Sequence, residues 1–468
     1  MPETKTKKSQ PFPAPVPLKK LIGPSFIILA LGLGSGEVIL WPYLASNYGL
    51  GIAWGAVLGI TFQYFINMEI ERYALVKGES VFVGIAKFWR GAPAWFILST
   101  FIGFGLPGII AASAKVFSSL IGFEHFQWIA IVFLILIGLI LSSGKTVYGM
   151  MERLTKTIIL LGVPFVFVLT IILSSKADWG ALASGIVGQG NGYMFLPEGI
   201  VLATFLAAFA YAGAGGNLNL TQSIYVKEKG YGMGKYAQRI AGLFQKKKNA
   251  EAIRLEGTDF NETEQARKNF LVWWRRISIE HALVFWLIGA TSILLLMLLA
   301  FVTTFGASDN AQGINFVINE GTAIGSILGP AIGAVFLFVV TIMLFQTQLG
   351  VMDSTSRIMA ENAAISYTKK TKKTTVPLSK IYFIFLWAQI AFGIFLFLIG
   401  ITEPKTLLIL GACINALAMF VHIGLVSILN HKALPKFFRP RMWRKLLLGL
   451  IFIFFGFFSV VVLIDQLF

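Results

Sequence analysis

The run Gly34-Ser35-Gly36-Glu37 is the part of this sequence most suited to chemistry, because it interrupts the apolar stretch 21–41. Glycine costs about 1 kcal/mol relative to alanine inside a helix, and an acidic side chain at a membrane-helix centre costs about 2.5–3.5 kcal/mol on insertion scales. Such a combination is typical of an unwound helix whose free backbone groups line a cavity. The run therefore predicts ion or solute binding by main-chain carbonyls and the Glu37 carboxylate. The alternative is a glycine pair that packs helices, with Glu37 paired to a neighbour.

A second stretch of the same kind spans residues 210–219, where three glycines and two asparagines stand among apolar residues. Unwinding there would free carbonyl groups near Ala214, and Asn217 and Asn219 would add side-chain oxygens. Tyr211 lies at the start of this stretch and is a further candidate for substrate contact. Packing of small residues, with the asparagines hydrogen-bonded across helices, is the alternative interpretation.

Three more polar side chains in apolar segments are candidates for binding or coupling. Gln346 lies deep enough in its segment to be a ligand. Lys115 is expected to reach the membrane interface or to pair with a carboxylate, and a coupling role is the alternative. Asp353 stands four residues before Arg357, which predicts an ion pair within one helix. Asp353 is kept as a coupling candidate together with Lys115 and Glu37.

The composition predicts an all-α polytopic membrane protein. The chain is 56% hydrophobic and 13% charged, whereas soluble domains carry about 25% charged residues. The single cysteine, Cys413, excludes an intrachain disulfide and a cysteine-based metal cluster, and the four histidines lack metal-ligand spacing. We find no nucleophile–base pair, so we do not expect an enzyme. A scaffold or receptor without transport would not explain two costly interruptions.

The apolar segments that should act as transmembrane helices number about 11. Most are long enough to cross a core of ~30 Å at 1.5 Å per residue. Residues 1–20 form a basic tail that we expect to be disordered and to bind the inner leaflet, and they lack the features of a signal peptide. The predicted segments are 21–43, 50–76, 94–122, 127–144, 157–175, 198–226, 280–305, 323–350, 378–401, 406–429 and 446–466.

The distribution of basic residues predicts the orientation. With a cytoplasmic N-terminus, nearly all of the 39 Lys and Arg lie on the inner side, which satisfies the positive-inside rule and places the C-terminus outside. The net charge of +17 is therefore explained by the orientation in the membrane, so no nucleic-acid partner is expected. The chain should be a multi-pass protein of the inner plasma membrane. Its loop 227–279 is expected to form a short amphipathic helix on the inner surface, with regulation or partner binding as the alternative.

The two interruptions, in the first and sixth segments, predict a fold with internal symmetry. Discontinuous helices at corresponding positions of two inverted repeats mark the binding site of secondary transporters. The first five-helix repeat would span 21–175 and the second 198–429, with 446–468 as an additional helix 11. This arrangement, with helices 1 and 6 discontinuous, resembles the 5+5 inverted repeat of the LeuT-like fold.

The sequence also resembles the natural resistance-associated macrophage protein (Nramp) family of proton-coupled divalent metal transporters, which belong to the amino acid–polyamine–organocation superfamily. The family's Asp-Pro-Gly-Asn motif falls on residues 34–37, and its Met-Pro-His-Asn motif falls on residues 214–217. Gln346 stands where the family has a glutamine in span 8. Further local matches are Ile22-Gly23-Pro24, Gly49, the spacing from Arg72 to Gly78, and Tyr148, Glu152 and Arg153.

The departures from the family pattern lie in both metal-binding motifs. The family's aspartate is Gly34 here, its soft methionine ligand is Ala214, and its asparagine is Glu37. Its histidine is Gly216, which puts the family's proton route in doubt. Soft thioethers favour transition metals, whereas carboxylate, carbonyl and water suit harder ions. The resemblance therefore implies weaker discrimination against Mg²⁺ or Ca²⁺.

The expected function is secondary active transport of a divalent cation by alternating access, with proton coupling left open. Glu37, Asn217 and Gln346 are the predicted metal ligands. The wider binding set adds Gly34, Ser35, Tyr211 and Ala214. The cation is cargo, so no cofactor is expected; the superfamily resemblance implies a monomer in a lipid bilayer. The alternative cargo on the same fold is a small organic solute, an amino acid or amine.

Overall fold

The computed structural model describes residues 9–18, 21, 23–143, 147–238, 254–307, 309–373 and 375–467. Predicted features at residues 1–8, 19, 20, 22, 144–146 and 239–253 lie outside this part of the chain. The helices are α1 (Pro24–Gly32), α2 (Trp41–Tyr48), α3 (Ala53–Lys77), α4 (Val81–Phe88), α5 (Ala92–Phe104), α6 (Gly108–Ile121), α7 (Phe126–Ser143), α8 (Val147–Leu173), α9 (Lys176–Ile186), α10 (Leu202–Ala210), α11 (Thr221–Lys229), α12 (Glu264–His281), α13 (Ile288–Thr304), α14 (Asn315–Leu328), α15 (Pro330–Thr371), α16 (Leu378–Leu398), α17 (Pro404–Ala433) and α18 (Met442–Leu467).

The predicted membrane class is confirmed. Ten helical stretches of the described chain are long and apolar enough to cross a membrane. The predicted sixth segment is not among them, because α10 and α11 are too short on their own and flank an interruption. Together they complete the set of about 11 predicted segments.

The first helix lies at the centre of the bundle. Every residue of α1 is buried, and α1 is apolar on all sides, as expected for a helix surrounded by protein. It packs against α8, α15 and α11. The outer helices α7, α8 and α18 instead expose rows of large apolar side chains, as a lipid-facing surface requires.

The predicted segment 323–350 is wrong at both ends. Its first residues belong to α14, and a new helix, α15, begins at Pro330 and continues to Thr371. Gly329 between them has φ 103°, a conformation that favours glycine, and proline is well suited to the first position of the next helix. The turn was missed because apolar residues continue through it.

The helix in the described part of 227–279 is not a short separate one, as predicted: α12 runs through a π-helical turn at 282–287 into α13, and together they form the seventh stretch, Glu264–Thr304. A position of α12 on the inner surface stays a prediction. The expectation of a disordered tail is wrong for residues 9–18, which bind along α12. Trp273 Nε1 donates to the carbonyl of Pro13 over 3.0 Å, and an Arg276 nitrogen donates to that of Val16 over 2.7 Å.

Candidate functional site

At the first interruption the chain departs from α-helical geometry over a few residues. α1 ends at Gly32, residues 35–40 form a π-helical turn, and α2 begins at Trp41. Gly34 lies between them with φ −135° and ψ −67°, outside helical geometry. The predicted discontinuity of helix 1 is therefore confirmed. Turns of the π type often occur at functional sites.

The second interruption is more open. α10 ends at Ala210, and α11 begins at Thr221 after a short 3₁₀ turn. Gly213, Gly215 and Gly216 have φ values of 130°, 71° and 51°, in the region that side chains with a Cβ rarely adopt. The three glycines therefore let the chain leave and resume the helix, which confirms the predicted discontinuity of helix 6.

The two interruptions touch through their backbones. A Cβ placed on Gly32 would lie 2.6 Å from the carbonyl carbon of Gly213, and one placed on Gly36 would overlap the carbonyl oxygen of Tyr211. Only glycine fits at positions 32 and 36 in this arrangement. The contact brings the predicted site residues of the first and sixth segments into one buried region.

Gln63 of α3 binds the second interruption at both sides. Its Nε2 donates to the carbonyl of Ala210 over 2.9 Å, and its Oε1 accepts from Gly215 N over 3.0 Å. A buried peptide group needs a hydrogen-bond partner, and this amide replaces partners lost when the helix unwinds. We did not predict Gln63 from the sequence. Its signal was an amide side chain within the apolar segment 50–76, which also holds Asn67.

Asn217 lies in a buried polar cluster between α5 and α17. Its Nδ2 donates to Ser99 Oγ over 2.8 Å and to Thr100 Oγ1 over 3.0 Å. In the same region Asn415 Nδ2 donates to the hydroxyl of Tyr211 over 2.9 Å. The side-chain oxygens of both asparagines are buried without a hydrogen-bond partner, so each has a free acceptor.

Glu37 is fully buried, and neither carboxylate oxygen has a hydrogen-bond partner. Its Oε1 lies 3.8 Å from the place a Cβ would take on Gly289 of α13. Burial of an ionised carboxylate without a partner is costly. The position therefore calls for a proton or a cation.

Gln346 of α15 faces α8 and α1. Its Nε2 donates to Thr155 Oγ1 over 2.8 Å, and its Oε1 is buried without a partner. It lines a cavity of about 10 Å³ with Ala30 and Leu33, which is near the volume that holds one water molecule.

Among the described residues, no hydrogen bond joins the three predicted metal ligands to one another. Glu37 Oε1 approaches Gly289 of α13, Asn217 donates to Ser99 and Thr100 of α5, and Gln346 donates to Thr155 of α8. Each of the three residues has at least one buried side-chain oxygen without a hydrogen-bond partner. In the described chain, no three His, Cys, Asp or Glu side chains group together as a metal site would require. A cation here would be held by one carboxylate and neutral oxygens.

The two other coupling candidates lie away from the interruptions. Lys115 Nζ and Glu403 Oε1 both approach Gly313, at 3.4 and 2.8 Å from the place a Cβ would take there. Asp353 accepts from Arg357 Nε over 2.9 Å, as the sequence predicted. The hydroxyls of Tyr225 and Tyr382 also donate to Asp353.

Comparison with known proteins rests on structure alone, because no family model and no curated protein matches the sequence. A mutant of the manganese transporter of Eremococcus coleocola has a TM-score of 0.70 at 12% identity, over 99% of this chain and 91% of that one. MhsT in complex with L-phenylalanine scores 0.56 at 14% identity, over 94% and 97%. The chain has the LeuT fold.

The LeuT fold accounts for the positions of both interruptions. A third structure with this fold, the nucleobase-cation-symport-1 family transporter Mhp1 with bromovinylhydantoin bound, has a TM-score of 0.53 at 12% identity, over 92% of this chain and 84% of that one. The expected resemblance to Nramp proteins is confirmed at the level of the fold. Discontinuous helices 1 and 6 of the fold correspond to α1–α2 and α10–α11, which meet where Gly32 and Gly36 approach Gly213 and Tyr211.

Proposed function

We propose that this protein is a secondary active transporter that carries a divalent cation across the membrane by alternating access. The observation that carries the proposal is the Glu37 carboxylate, which is buried and unpartnered beside two touching helix interruptions. Cargo that supplies positive charge would compensate this carboxylate. The N-terminus would lie in the cytoplasm, the working unit would be a monomer, and protons remain the candidate coupling ion.

The donor atoms favour a hard or intermediate cation. Glu37 provides one carboxylate, and Asn217 and Gln346 provide amide oxygens that have no partner. Because these oxygens belong to three different segments, a bound cation would draw together the π-helical turn 35–40, the 3₁₀ turn 216–220 and α15. Carboxylate, carbonyl and water ligands suit Mg²⁺, Ca²⁺ and Mn²⁺, and a set with few charges predicts retained waters and modest affinity.

Uptake into proteoliposomes tests this proposal. We expect uptake of ⁵⁴Mn²⁺ that excess Mg²⁺ or Ca²⁺ inhibits, and loss of that uptake in Glu37→Gln. Glu320→Gln is the matched control, because Glu320 of α14 is also a buried carboxylate with an unpartnered oxygen. Normal uptake by Glu37→Gln would refute the role of the carboxylate.

A small organic solute is the second candidate cargo. The free oxygens of Asn217 and Asn415 beside the hydroxyl of Tyr211 could accept hydrogen bonds from an amine. Glu37 would then neutralise the amine or carry a proton. MhsT and Mhp1, with the same fold, are both described with organic ligands. Uptake that amino acids inhibit and divalent metals do not would favour this candidate.

A further inference from the structure

A second buried group of ionisable residues joins the first helix to the seventh membrane stretch. Ser25 is the second residue of α1, and Glu280 and His281 are the last residues of α12. Ser25 Oγ lies 2.5 Å from Glu280 Oε2 and 2.8 Å from His281 Nδ1. All three side chains are buried, so these bonds are shielded from solvent.

The three side chains form one continuous hydrogen-bonded chain. A serine hydroxyl has one hydrogen and can also accept. When Ser25 donates to an ionised Glu280, His281 Nδ1 must be the N–H that donates to Ser25. His281 Nε2 is then an acceptor, and it is buried without a partner, as is Glu280 Oε1. The cluster has an open position for one proton.

Uptake of one proton at His281 Nε2 moves two further protons along the chain. A proton binds His281 Nε2, the Nδ1 proton moves to Ser25 Oγ, and the former hydroxyl proton of Ser25 moves to Glu280 Oε2. The result is a neutral Glu280 that donates to Ser25, which donates to a neutral His281. Both hydrogen bonds survive with reversed polarity, and the buried negative charge is gone.

The surroundings leave few other charges to balance Glu280. The His281 ring is stacked between Tyr64, at 5.5 Å between centroids, and Phe285, at 4.7 Å. The nearby acid is Glu71 of α3, which accepts from Gln222 of α11. The basic groups whose charges reach Glu280 are Lys156 of α8 and Lys229 of α11, and both already pair with Glu152. On α12 itself, Arg276 binds the carbonyls of Pro15 and Val16.

One face of the seventh stretch connects this cluster with the interruptions. Phe285, stacked on His281, has its Cζ 2.8 Å from the place a Cβ would take on Gly213. Gly289, a further four residues along, approaches Glu37. Residues 281, 285 and 289 therefore contact the start of α1, the second interruption and Glu37 in turn. The π-helical turn at 282–287 lies within this face.

We propose that Glu280, His281 and Ser25 form a proton-binding site that fastens the first half of broken helix 1 to the seventh stretch. The ligand of this site is a proton. Binding of the proton affects the helix face that also approaches Gly213 and Glu37. The coupling role rests on the proposed transport function. Proton binding itself does not depend on it.

Infrared difference spectroscopy of the purified full-length protein at successive pH values measures the binding directly. A buried carboxyl that gains a proton gains a carbonyl stretching band. We expect such a band to be lost in Glu280→Gln and retained in the control Glu320→Gln. Ser25→Ala, which removes the hydrogen bond but keeps the carboxyl, should shift the frequency of the band. These results would support the site.

Difference spectra of Glu280→Gln and Ser25→Ala that match the wild type would overturn the proposal. Should Glu280→Gln fail to fold, the Ser25→Ala spectrum decides alone, because an unshifted band would show that no titrating carboxyl is bonded to Ser25. Since no cargo is present, a negative result here leaves metal uptake untouched. Loss of uptake in Glu37→Gln likewise leaves this site untouched, so the two proposals can fail separately.

Discussion

The carbonyl oxygen of Tyr211 occupies the space in which a side chain on Gly36 would begin. The π-helical turn of the first interruption is therefore in direct backbone contact with the residue that follows α10. A change at either position must move the other, so the two interruptions form one unit.

Substitution of Gly36 should damage this unit. We expect Gly36→Ala to lower the unfolding temperature and to abolish uptake, because overpacking costs about 1–3 kcal/mol and separates the interruptions. Gly180→Ala on α9 is the control, since nothing lies within 4 Å of the added Cβ. Thermal unfolding and proteoliposome uptake measure the two effects. Wild-type uptake by Gly36→Ala would show that the contact is dispensable.

Gln63 should be needed for the shape of the second interruption. Gln63→Leu leaves the carbonyl of Ala210 and the N–H of Gly215 without their partner. Each unsatisfied buried group costs about 1–3 kcal/mol, so a clear fall in unfolding temperature is expected. Gln265→Leu, at an exposed amide on α12, should leave stability unchanged. Equal stabilities of the two variants would contradict the assignment.

Asn217 should contribute affinity and little stability. In Asn217→Ala the free amide oxygen is lost, while the Ser99 hydroxyl keeps its hydrogen bond to the carbonyl of Trp95. We expect binding of the cation to weaken about tenfold, or 1.4 kcal/mol, with the fold intact. Calorimetric titration measures the affinity, and circular dichroism checks the fold. Unchanged affinity would remove Asn217 from the ligand set.

Variants at Arg357 distinguish a structural role of Asp353 from a coupling role. Its fully buried guanidinium binds Asp353 and also Glu228 over 2.6 Å. Arg357→Met should cost about 3–5 kcal/mol, because removal of one partner leaves buried charges uncompensated. Adding Asp353→Asn and Glu228→Gln removes those charges and should restore most of the stability.

Uptake by this triple variant then decides the role of Asp353. Transport close to that of the wild type would assign the network to structure. A folded variant that binds the cation but no longer accumulates it would assign Asp353 to coupling.

The interruptions could be predicted because their signal is local. Glycines and a carboxylate inside an apolar run identify Gly34–Glu37 and 210–219 without knowledge of their neighbours. Gln63 and Asn415 could not be singled out in the same way. An amide side chain in an apolar segment gives the same sequence pattern whether it binds another helix, a ligand or an unwound backbone.

The directions of the side chains also could not be predicted from the sequence. The motif resemblance placed Glu37 and Asn217 in one site, but it did not show that Glu37 approaches Gly289 or that Asn217 donates to Ser99. Those directions depend on how helices from both halves pack. The Ser25–Glu280–His281 cluster was missed for the same reason, since Ser25 lies more than 250 residues before Glu280 and His281.

Calorimetric titration of the purified protein with Mn²⁺, Mg²⁺ and Ca²⁺, beside the Glu37→Gln variant, tests the central claim most directly. We predict saturable binding of at least one of these ions to the wild type, and loss of that binding in the variant. Glu320→Gln should bind as the wild type does. Absence of binding heat for all three ions, or binding that survives Glu37→Gln, would contradict a cation site at the two interruptions.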